Sequence, residues 1–395
     1  MKTYNKLKRV LYLTYDGILE PLGYSQILSY LQILSREHKI IIISIEKKGD
    51  LLKQDHFKKI KNIIEKSNIE WFYLKYTNNT FLRFALILKL IFLTAYILLF
   101  KKIDIVHSRS YISGLVTYFL KFFFNVFFVF DIRGFWIDER IEWGLWKQNS
   151  IKSIIFRFFE KKIYNKSNVI VTLTTDAKEI ILKGNKVYKN NIFTIPTSVN
   201  LNKKNNFYRS EKILTFTHLG AIGSRYDFNL YLKIMNELSK NNNILLSIIN
   251  KNEHPYIKEQ INKYNFNPKY ISLKYIHPYN INDELKNTNF GIFFPVKGFY
   301  LNAYFPTKLG EFLTNGVPII TCKINKHVDT LITENNVGII LDNKDNINYK
   351  QLNNKILNIL NDINISLRCK KVAEDHFDIN KATNIYSKIY KLAKS

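Results

Sequence analysis

The sequence predicts an α/β protein built from two doubly wound parallel-sheet domains, and three observations lead to this prediction. Short runs rich in Ile, Val and Phe alternate with helix-length segments along the whole chain. Those runs are almost continuously apolar, which is typical of parallel strands covered by helices on both faces. A polar stretch over 196–212 interrupts the alternation near the middle of the chain and is the best linker candidate. Each half is long enough to bury a hydrophobic core of its own.

Thirteen apolar runs have the length and composition of strands. In the first half they are 9–14, 39–45, 70–75, 104–107, 126–130, 168–173 and 191–196. In the second half they are 213–219, 243–249, 269–276, 290–294, 317–322 and 337–341. The predicted helices include 25–37, 53–67, 81–100, 151–166, 226–240, 253–264, 305–315, 349–362 and 364–376. This alternation predicts right-handed crossovers, and it places ligands beside the carboxyl ends of the strands, in a cleft between the two domains.

The composition excludes several classes of protein. Of the 395 residues, 46% are hydrophobic, so the chain has enough apolar surface to fold and is not disordered. Cys322 and Cys369 are the two cysteines, too few for a disulfide scaffold, and this usage predicts a reducing compartment. The first apolar run is interrupted by Asp16 and Glu20, so no secretory signal is expected there, and we predict a cytoplasmic protein. No Asp-x-Asp pair follows a strand and no Cys has metal-ligand spacing, which predicts that no metal is bound.

The formal net charge of +27 is spread over both halves of the chain. Residues 1–200 contain 32 Lys and Arg against 16 Asp and Glu, and residues 201–395 contain 27 against 16. Such an even spread indicates compositional background, and no helix-turn-helix or RNA-recognition motif accompanies it, so nucleic acid is not an expected partner. The small excess in the first half predicts peripheral contact with an anionic membrane, at the inner face of the cell membrane.

Segment 81–100 is long and apolar enough to cross a bilayer. Arg83 and Lys89 lie within it, and a lysine near the middle of a spanning helix is unfavourable. Three interpretations stay open from the sequence: a spanning helix, a buried crossover helix, and a helix that docks partly on a membrane surface.

Two segments carry residues suited to binding a phosphorylated ligand. In the first βα turn, Gly23 permits close backbone approach and Ser25 is a candidate cap for the following helix, whose N-terminus could bind phosphate. In FPTKLGEFLTNGVPII (305–320), Lys308 and Glu311 share one face of a short helix. They are either an exposed ion pair or a nucleotide clamp, in which the lysine meets a diphosphate and the carboxylate accepts ribose hydroxyls.

Several segments resemble, in order along the chain, the retaining glycosyltransferases of family 4 (group 1), which have the GT-B fold. The match at Glu311, Gly316 and Pro318 resembles the donor-site segment of that family. The segments 104–110 (DIVHSRS) and 216–227 (FTHLGAIGSRYD) resemble its "D-x-V-H" strand end and its donor glycine loop. TIPTSVNLNKK resembles the linker entry, with Asn200 where Asp is usual. The resemblance implies two Rossmann-like domains facing across a cleft.

The domain limits follow from this resemblance. It implies an N-terminal acceptor-binding domain over 1–200 and a C-terminal nucleotide-sugar donor-binding domain over 201–378. A C-terminal helix at about 379–395 packs back on the first domain in that family.

The segment DIRGFWIDERIEWG (131–144) resembles a signature of the capsule, O-antigen and exopolysaccharide enzymes of the family. It follows a buried strand, so we expect Asp131 and Arg133 at the mouth of the cleft, with Trp136 available to stack on a sugar. The resemblance assigns the acceptor to Asp131, Arg133, His107 and Asp138, and the expected catalytic residues are Asp131, Arg133, His107 and Lys308. A structural cluster of ion pairs is the alternative.

The resemblance also implies a donor site. Glu311 holds the ribose and Lys308 and Arg225 stabilise the diphosphate. The remaining donor-binding positions are Gly23, Gly223, Leu309 and Gly310. Two departures from the family pattern stand out: Ala303 replaces the first of two paired glutamates, and Arg225 is the one cation of the donor glycine loop.

The expected activity is transfer of a sugar from a nucleotide-diphosphate sugar, with UDP-sugar the favoured donor, to a glycan or lipid-linked saccharide acceptor. The expected type is a metal-independent hexosyltransferase that acts in cell-surface polysaccharide biosynthesis. The departures at Ala303 and Arg225 leave one alternative, a catalytically degenerate partner subunit of the same fold at the membrane.

Overall fold

The computed structural model describes residues 7–201, 213–264, 266–277 and 280–393. Residues 202–212 of the predicted linker and residues 394 and 395 of the predicted C-terminal helix lie outside this part of the chain. The chain divides into two compact units, one formed by Met1–Pro196 with Ile379–Ser395 and the other by Thr197–Asp378.

The first unit is built on a seven-stranded parallel sheet with the order β3-β2-β1-β4-β5-β6-β7. Its strands are β1 (Arg9–Thr14), β2 (Lys39–Glu46), β3 (Glu70–Lys75), β4 (Ile105–Arg109), β5 (Phe127–Asp131), β6 (Val169–Thr172) and β7 (Ile192–Thr194). Its helices before residue 196 are α1 (Pro21–Gly23), α2 (Ser29–Leu34), α3 (Lys48–Leu51), α4 (Gln54–Lys66), α5 (Thr80–Phe100), α6 (Ser110–Leu120), α7 (Trp136–Glu142), α8 (Ile151–Lys166) and α9 (Thr175–Gly184). A π-helical stretch, Tyr24–Leu28, joins α1 to α2.

The second unit has a six-stranded parallel sheet with the order β10-β9-β8-β11-β12-β13. Its strands are β8 (Leu214–Leu219), β9 (Ile244–Ile249), β10 (Ile271–Lys274), β11 (Phe290–Phe293), β12 (Ile319–Cys322) and β13 (Gly338–Leu341). Its helices are α10 (Phe228–Leu238), α11 (His254–Lys263), α12 (Ile281–Glu284), α13 (Thr307–Thr314), α14 (Lys326–Glu334), α15 (Tyr349–Leu360) and α16 (Ile365–His376). The last helix, α17 (Ile379–Lys391), belongs to the first unit.

The predicted fold class is confirmed, because each predicted strand is present and both sheets are parallel and doubly wound. The expectation that every strand is buried on both faces is wrong for β3. Glu70, Tyr73 and Lys75 of this strand are exposed, since β3 is at the edge of its sheet. The helix α14 was missed by the sequence pattern, although Asn325 caps it through a hydrogen bond from the Val328 N–H.

Two layers of apolar side chains cover the first sheet. On one face, Leu31 of α2 and Ile389 of α17 pack with Val10 and Ile42. On the other face, Leu90 of α5 and Val116 of α6 pack with Leu11 and Leu13. Because α17 lies in the first of these layers, the C-terminal part of the chain completes the core of the N-terminal unit.

Helix α5 is the crossover between β3 and β4, but it is not a buried crossover helix. Among its residues, Leu86, Leu90, Thr94, Ile97 and Leu98 are buried. It is long and apolar enough to cross a membrane by length and composition, and 28% of its most apolar window is buried. The opposite face of α5 therefore exposes apolar side chains.

Candidate functional sites in the two units

In the first unit, three neighbouring strands bring His107 and Asp131 together at the carboxyl edge of the sheet. The strand β4 lies between β1 and β5, with His107 opposite Tyr12 and Arg109 opposite Asp131. His107 Nε2 is 3.6 Å from Asp131 Oδ2. Both side chains are buried, so Asp131 does not stand open at a surface of this unit as the sequence led us to expect.

Arg133 completes this cluster. Its Nη1 is 3.5 Å from Asp131 Oδ2, and its Nη2 donates a hydrogen bond to Gln26 Oε1 over 3.3 Å. Its backbone adopts φ 55°, an uncommon conformation that places the side chain beside the sheet edge. Burial opposes ionisation of Asp131, but the charge of Arg133 and the nearby imidazole of His107 outweigh it and lower the pKa of Asp131. Burial also lowers the pKa of His107, so its ring is neutral near pH 7.

Helix α17 supplies the other partners of this cluster, which the sequence did not indicate. The Tyr386 hydroxyl donates a hydrogen bond to Asp131 Oδ2 over 3.1 Å, and the Tyr390 hydroxyl is 2.7 Å from His107 Nδ1. The two tyrosines are four residues apart and therefore share one face of α17. This four-residue spacing is the one sequence feature that links the two tyrosines. It does not indicate that they bind Asp131 and His107.

Trp136 and Asp138 have protein partners of their own. The indole of Trp136 stacks on Tyr111 with ring centroids 5.8 Å apart, and Arg140 lies 5.3 Å from the indole. The Asp138 carboxylate accepts two hydrogen bonds from the guanidinium of Arg157, one of them 2.9 Å long from Nη1. These contacts agree with the alternative interpretation of segment 131–144, in which it forms a structural cluster of ion pairs.

Gly23 lies in a closely packed turn. A Cβ at this position would be 1.9 Å from the carbonyl oxygen of Gly17, so glycine is needed for the chain to pack on itself here. The preceding loop is held by the buried carboxylate of Glu46, which accepts hydrogen bonds from the N–H groups of Ile18 and Leu19 over 2.7 and 3.2 Å. Ser25 is not a helix cap, because its hydroxyl donates to the Pro21 carbonyl from inside the helical stretch.

In the second unit, Lys308 and Glu311 lie on α13, which follows β11 and begins beside the carboxyl edge of the sheet. Lys308 is buried, so the two residues are not an exposed ion pair. Lys308 Nζ is 4.0 Å from the centroid of the Tyr226 ring and 3.4 Å from His218 Nε2. Burial lowers the pKa of Lys308, and burial with the nearby Lys308 charge lowers the pKa of His218 well below its usual range.

Neither charged group of α13 has a partner of opposite charge within ion-pair distance among the described residues. The carboxylate of Glu311 accepts no hydrogen bond from that part of the chain either. Burial raises the pKa of Glu311 to about 7, and the charge of Lys308 opposes this shift only in part. Helix α13 therefore carries a buried cation and a carboxylate that have no counter-ion within ion-pair distance among the described side chains.

The glycine loop after β8 adjoins Lys308. Gly223 has φ +33°, and a Cβ there would be 2.7 Å from Glu253 Oε1. The Ile222 N–H donates to Glu253 Oε2 over 2.7 Å, which fixes the loop. Arg225 is exposed at the end of this turn, and its charge contributes to the lowered pKa of Lys308.

Three further residues, two in α13 and one in the turn before it, are buried and pack against neighbouring parts of the chain. Leu309 is fully buried, and its N–H donates to the Pro306 carbonyl over 3.1 Å. A Cβ at Gly310 would be 2.4 Å from the ring of Phe377, so glycine allows α13 and α16 to approach closely. Ala303, at the position of the missing glutamate, is buried. The part of the chain that the structure describes contains no group of three or more His, Cys, Asp and Glu suited to a metal ion.

Solved structures of other proteins share this arrangement of two doubly wound units. A glycosyltransferase from Rickettsia africae ESF-5 is 16% identical, with a TM-score of 0.67 over 99% of this chain and 100% of that one. Sucrose-phosphate synthase from Thermosynechococcus elongatus is 12% identical, with a TM-score of 0.70 over 98% of both chains. HepE from Anabaena, solved with UDP and glucose, is 10% identical, with a TM-score of 0.68 over 97% of this chain and 99% of that one. A comparison with curated proteins found no match.

These similarities define the class of the fold, which is two Rossmann-like domains of the GT-B type. Two family models then match successive parts of the sequence. Glycosyltransferase Family 4 matches residues 32–203, and Glycosyl transferases group 1 matches residues 200–376. The chain therefore belongs to the family 4, group 1 glycosyltransferases, as its motifs predict.

Proposed function

We propose that this glycosyltransferase moves a hexose from a nucleotide-diphosphate sugar to a lipid-linked saccharide, with retention of anomeric configuration and without a metal ion. We propose a UDP-sugar as the donor, because HepE is similar in fold and was solved with UDP-glucose. The proposed setting is cell-surface polysaccharide biosynthesis, at the cytoplasmic face of the membrane. The proposed domain roles are acceptor binding by the first unit and donor binding by the second.

The proposal rests on the two charges of α13, Lys308 and Glu311, neither of which has an ion-pair partner in the part of the chain that the structure describes. Departure of a nucleoside diphosphate places negative charge on its terminal phosphate, and a preorganised cation stabilises that charge. Lys308 is held in place by the Tyr226 ring and His218, and α13 directs its N-terminus to the same edge of the sheet. We assign Lys308 and Arg225 to the diphosphate and Glu311 to the ribose hydroxyls. The backbone of Gly223, Leu309 and Gly310 completes the proposed donor site.

In the first unit, the proposed acceptor residues are His107, Asp131, Arg133 and Asp138. Arg133 keeps Asp131 ionised, and Tyr386 and Tyr390 orient the carboxylate and the imidazole. We propose that Gly23 and the loop before it close on the donor. Glu46 holds that loop through the N–H groups of Ile18 and Leu19.

The test is a thermal-shift panel of UDP-, GDP- and other nucleotide sugars, followed by a transfer assay with the sugar that binds. A ligand at 100 times its Kd stabilises the folded protein by about 2.7 kcal/mol. We expect a shift with one nucleotide, which the single variant Glu311→Gln reduces and the double variant Lys308→Gln with Glu311→Gln abolishes. The exposed pair Lys258→Gln and Glu259→Gln on α11 is the matched control and leaves the shift unchanged. No shift with any nucleotide sugar would refute the proposal.

A second candidate function is a non-catalytic subunit of the same fold. Ala303 favours it, because this position lacks the carboxylate that the family usually places near the transferred sugar. The two candidates predict different outcomes. A thermal shift without sugar transfer, and normal polysaccharide synthesis in cells that carry the Lys308→Gln and Glu311→Gln variants, supports the non-catalytic subunit.

A further inference from the structure

Helix α5 exposes a row of large apolar side chains along its full length. Leu88, Phe92 and Tyr96 are spaced by four residues, and their exposed fractions are 40%, 72% and 55%. Phe84 and Phe100 extend the row at its two ends with exposed fractions of 64% and 68%. A surface helix of a soluble protein normally exposes polar side chains on this side.

Helix α4 of the same unit shows that normal pattern. Its buried residues are Ile60 and Ile64, and its exposed side chains are all polar. The exposed side chains are Gln54, Asp55, Lys58, Lys59, Lys61, Asn62, Glu65 and Lys66. The exposed apolar row of α5 is therefore a property of that part of the surface and not of the unit as a whole.

The elements next to α5 extend its apolar row into a wider surface. Helix α6 packs between α5 and α8, and the three helices run in the same direction along one face of the sheet. At the end of α6, Phe119, Phe122 and Phe123 are exposed. On α8, one face exposes Ile151, Ile154, Ile155 and Phe158. We call this surface, from Phe84–Phe100 through Phe119–Phe123 to Ile151–Phe158, the apolar face.

The charges in the three segments that form the apolar face are almost all positive. Segments 80–102, 110–126 and 150–166 contain ten Lys and Arg but one acidic residue, Glu160. Glu160 is buried, where it pairs with Arg157 and accepts a hydrogen bond from Tyr111. Lys162 and Lys166 lie within 5.3 Å and 4.8 Å of the rings of Phe158 and Phe122, so basic groups border the exposed aromatic side chains directly.

We propose that the apolar face docks on a lipid bilayer with anionic headgroups. Exposed aromatic and aliphatic side chains enter the boundary between headgroups and acyl chains, and the bordering lysines bind the lipid phosphates. The charge pattern favours a bilayer over a protein partner, because a protein interface needs complementary polar groups around its apolar centre, whereas the three segments carry ten cations against one buried carboxylate. This proposal rests on the proposed function, which places the protein at the membrane, and it identifies the surface that makes the contact. The residues of this surface lie outside both candidate sites.

The topology connects this surface to the proposed reaction. Helices of a parallel α/β unit begin at the carboxyl edge of the sheet, where Asp131 and Arg133 lie. The N-terminal ends of α5 and α8, with Phe84 and Ile151, therefore point to the same edge. Docking through the apolar face brings that edge to the level of the headgroups, where the saccharide of a lipid-linked acceptor is found.

The experiment is co-sedimentation of the full chain with vesicles of phosphatidylcholine alone and of phosphatidylcholine mixed with phosphatidylglycerol. We expect binding to the mixed vesicles, and weaker binding in about 1 M salt, where the screening length falls to about 3 Å. Phe92→Ser with Tyr96→Ser should weaken binding about tenfold or more, because two large side chains no longer enter the lipid. The matched control is Ile363→Ser with Leu367→Ser, which removes two exposed apolar side chains of the second unit and leaves binding unchanged.

A second set of variants tests the charges. Lys161→Gln, Lys162→Gln and Lys166→Gln on α8 should each weaken binding about fivefold. Lys58→Gln, Lys59→Gln and Lys61→Gln on α4 remove the same charge from the polar face and should leave it unchanged. Circular dichroism melts of each variant show that the fold is retained. Equal binding to both kinds of vesicle, or equal loss in the α4 and α8 variants, would overturn the proposal.

The same assay separates this inference from the proposed function. The double variant Lys308→Gln with Glu311→Gln should bind vesicles normally while it fails to bind a nucleotide sugar. The Phe92→Ser and Tyr96→Ser variant should show the opposite behaviour. If light scattering shows a dimer that this variant dissociates, and no vesicle binding occurs, the apolar face contacts a second copy of the chain instead.

Discussion

Asp131 in the first unit and Glu311 in the second are carboxylates near the carboxyl edges of two similar sheets, but their surroundings differ. Asp131 has Arg133, His107 and Tyr386 within 3.6 Å of its Oδ2 atom, and its pKa is lowered. Glu311 has no such partner in the described residues, and burial raises its pKa to about 7. The Oδ2 atom of Asp131 is thus held by side chains of the protein, whereas the carboxylate of Glu311 has no such contacts among the described residues.

The largest expected effect is the loss of the Asp131 charge. Asp131→Asn leaves the buried Arg133 without its counter-ion, so we expect the free energy of unfolding to fall by about 3–5 kcal/mol. Urea denaturation at pH 7 measures the change. Asp55→Asn, at an exposed position of α4, is the control and should change it by less than about 0.5 kcal/mol. If Asp131→Asn is as stable as the control, the cluster does not hold the first unit together.

Glu311→Gln should have the opposite effect, with folding stability retained and donor binding weakened. The amide keeps the shape of the half-buried side chain and removes the charge of a carboxyl whose pKa is raised by its surroundings, so we expect no loss of folding stability. A hydrogen bond to a charged group contributes about 1.5–3 kcal/mol, so nucleotide-sugar binding should weaken by about 10- to 150-fold. Isothermal titration calorimetry with the donor found in the thermal-shift panel measures this. Undiminished affinity would remove Glu311 from the proposed donor site.

The pH dependence of donor binding should also distinguish the carboxylate of Glu311 from that of Asp131. With a pKa of about 7, Glu311 is mostly ionised at pH 8 and mostly protonated at pH 6, whereas Asp131 stays ionised throughout. If the carboxylate accepts ribose hydroxyls, donor affinity falls about tenfold from pH 8 to pH 6, which is about 1.4 kcal/mol. The Glu311→Gln variant should show no such dependence. If the variant shows the same pH dependence of donor affinity, a titrating group other than Glu311 causes it.

The raised pKa of Glu311 also predicts an effect on folding stability. The folded-state pKa of Glu311 lies above its usual value of 4.5, so the folded state binds a proton more tightly than the unfolded chain. The ionised side chain therefore destabilises the fold at pH values above 4.5, and this effect is complete above about 7. Glu311→Gln should remove it, and urea denaturation of both proteins at pH 5 and pH 8 checks the sign.

The smallest expected effect comes from α17. Tyr386→Phe removes one hydroxyl that donates to Asp131, and we expect the free energy of unfolding to fall by about 1 kcal/mol. Its neighbour Asp131 keeps the ion pair with Arg133, so the loss is smaller than for Asp131→Asn. A double-mutant cycle with Tyr386→Phe and Asp131→Asn measures the coupling. Additive effects would show that the two side chains do not interact.

The sequence was sufficient to predict the strands and the fold class, because buried parallel strands are apolar throughout. It also indicated Lys308 and Glu311, because their three-residue spacing on a helix is a local property. It could not predict the burial of Asp131 and Arg133. Tyr386 donates to Asp131 and Tyr390 contacts His107, and each tyrosine is more than 250 residues from its partner along the chain, so only packing of α17 on the first unit brings them together.

The edge strand β3 and the helix α5 show a second limit of prediction from the sequence, which concerns how far an element is covered. Both are largely apolar runs, and the sequence alone gives no sign that β3 is only partly covered or that α5 is covered on one side only. That follows from their place in the topology, with β3 outermost in the sheet and α5 in the layer over it. An apolar run therefore predicts a regular element more reliably than it predicts what covers the element.

The position of α17 has a consequence for biosynthesis. The second unit is encoded between two parts of the first, so the ribosome produces Thr197–Asp378 before the helix that completes the first core. Until residues 379–391 emerge, His107 and Asp131 lack the two tyrosine hydroxyls, and Val10 and Ile42 lack their cover from Ile389. We therefore expect the order of folding to reverse the order of the domains, with the second unit acquiring its native protection from proteolysis first.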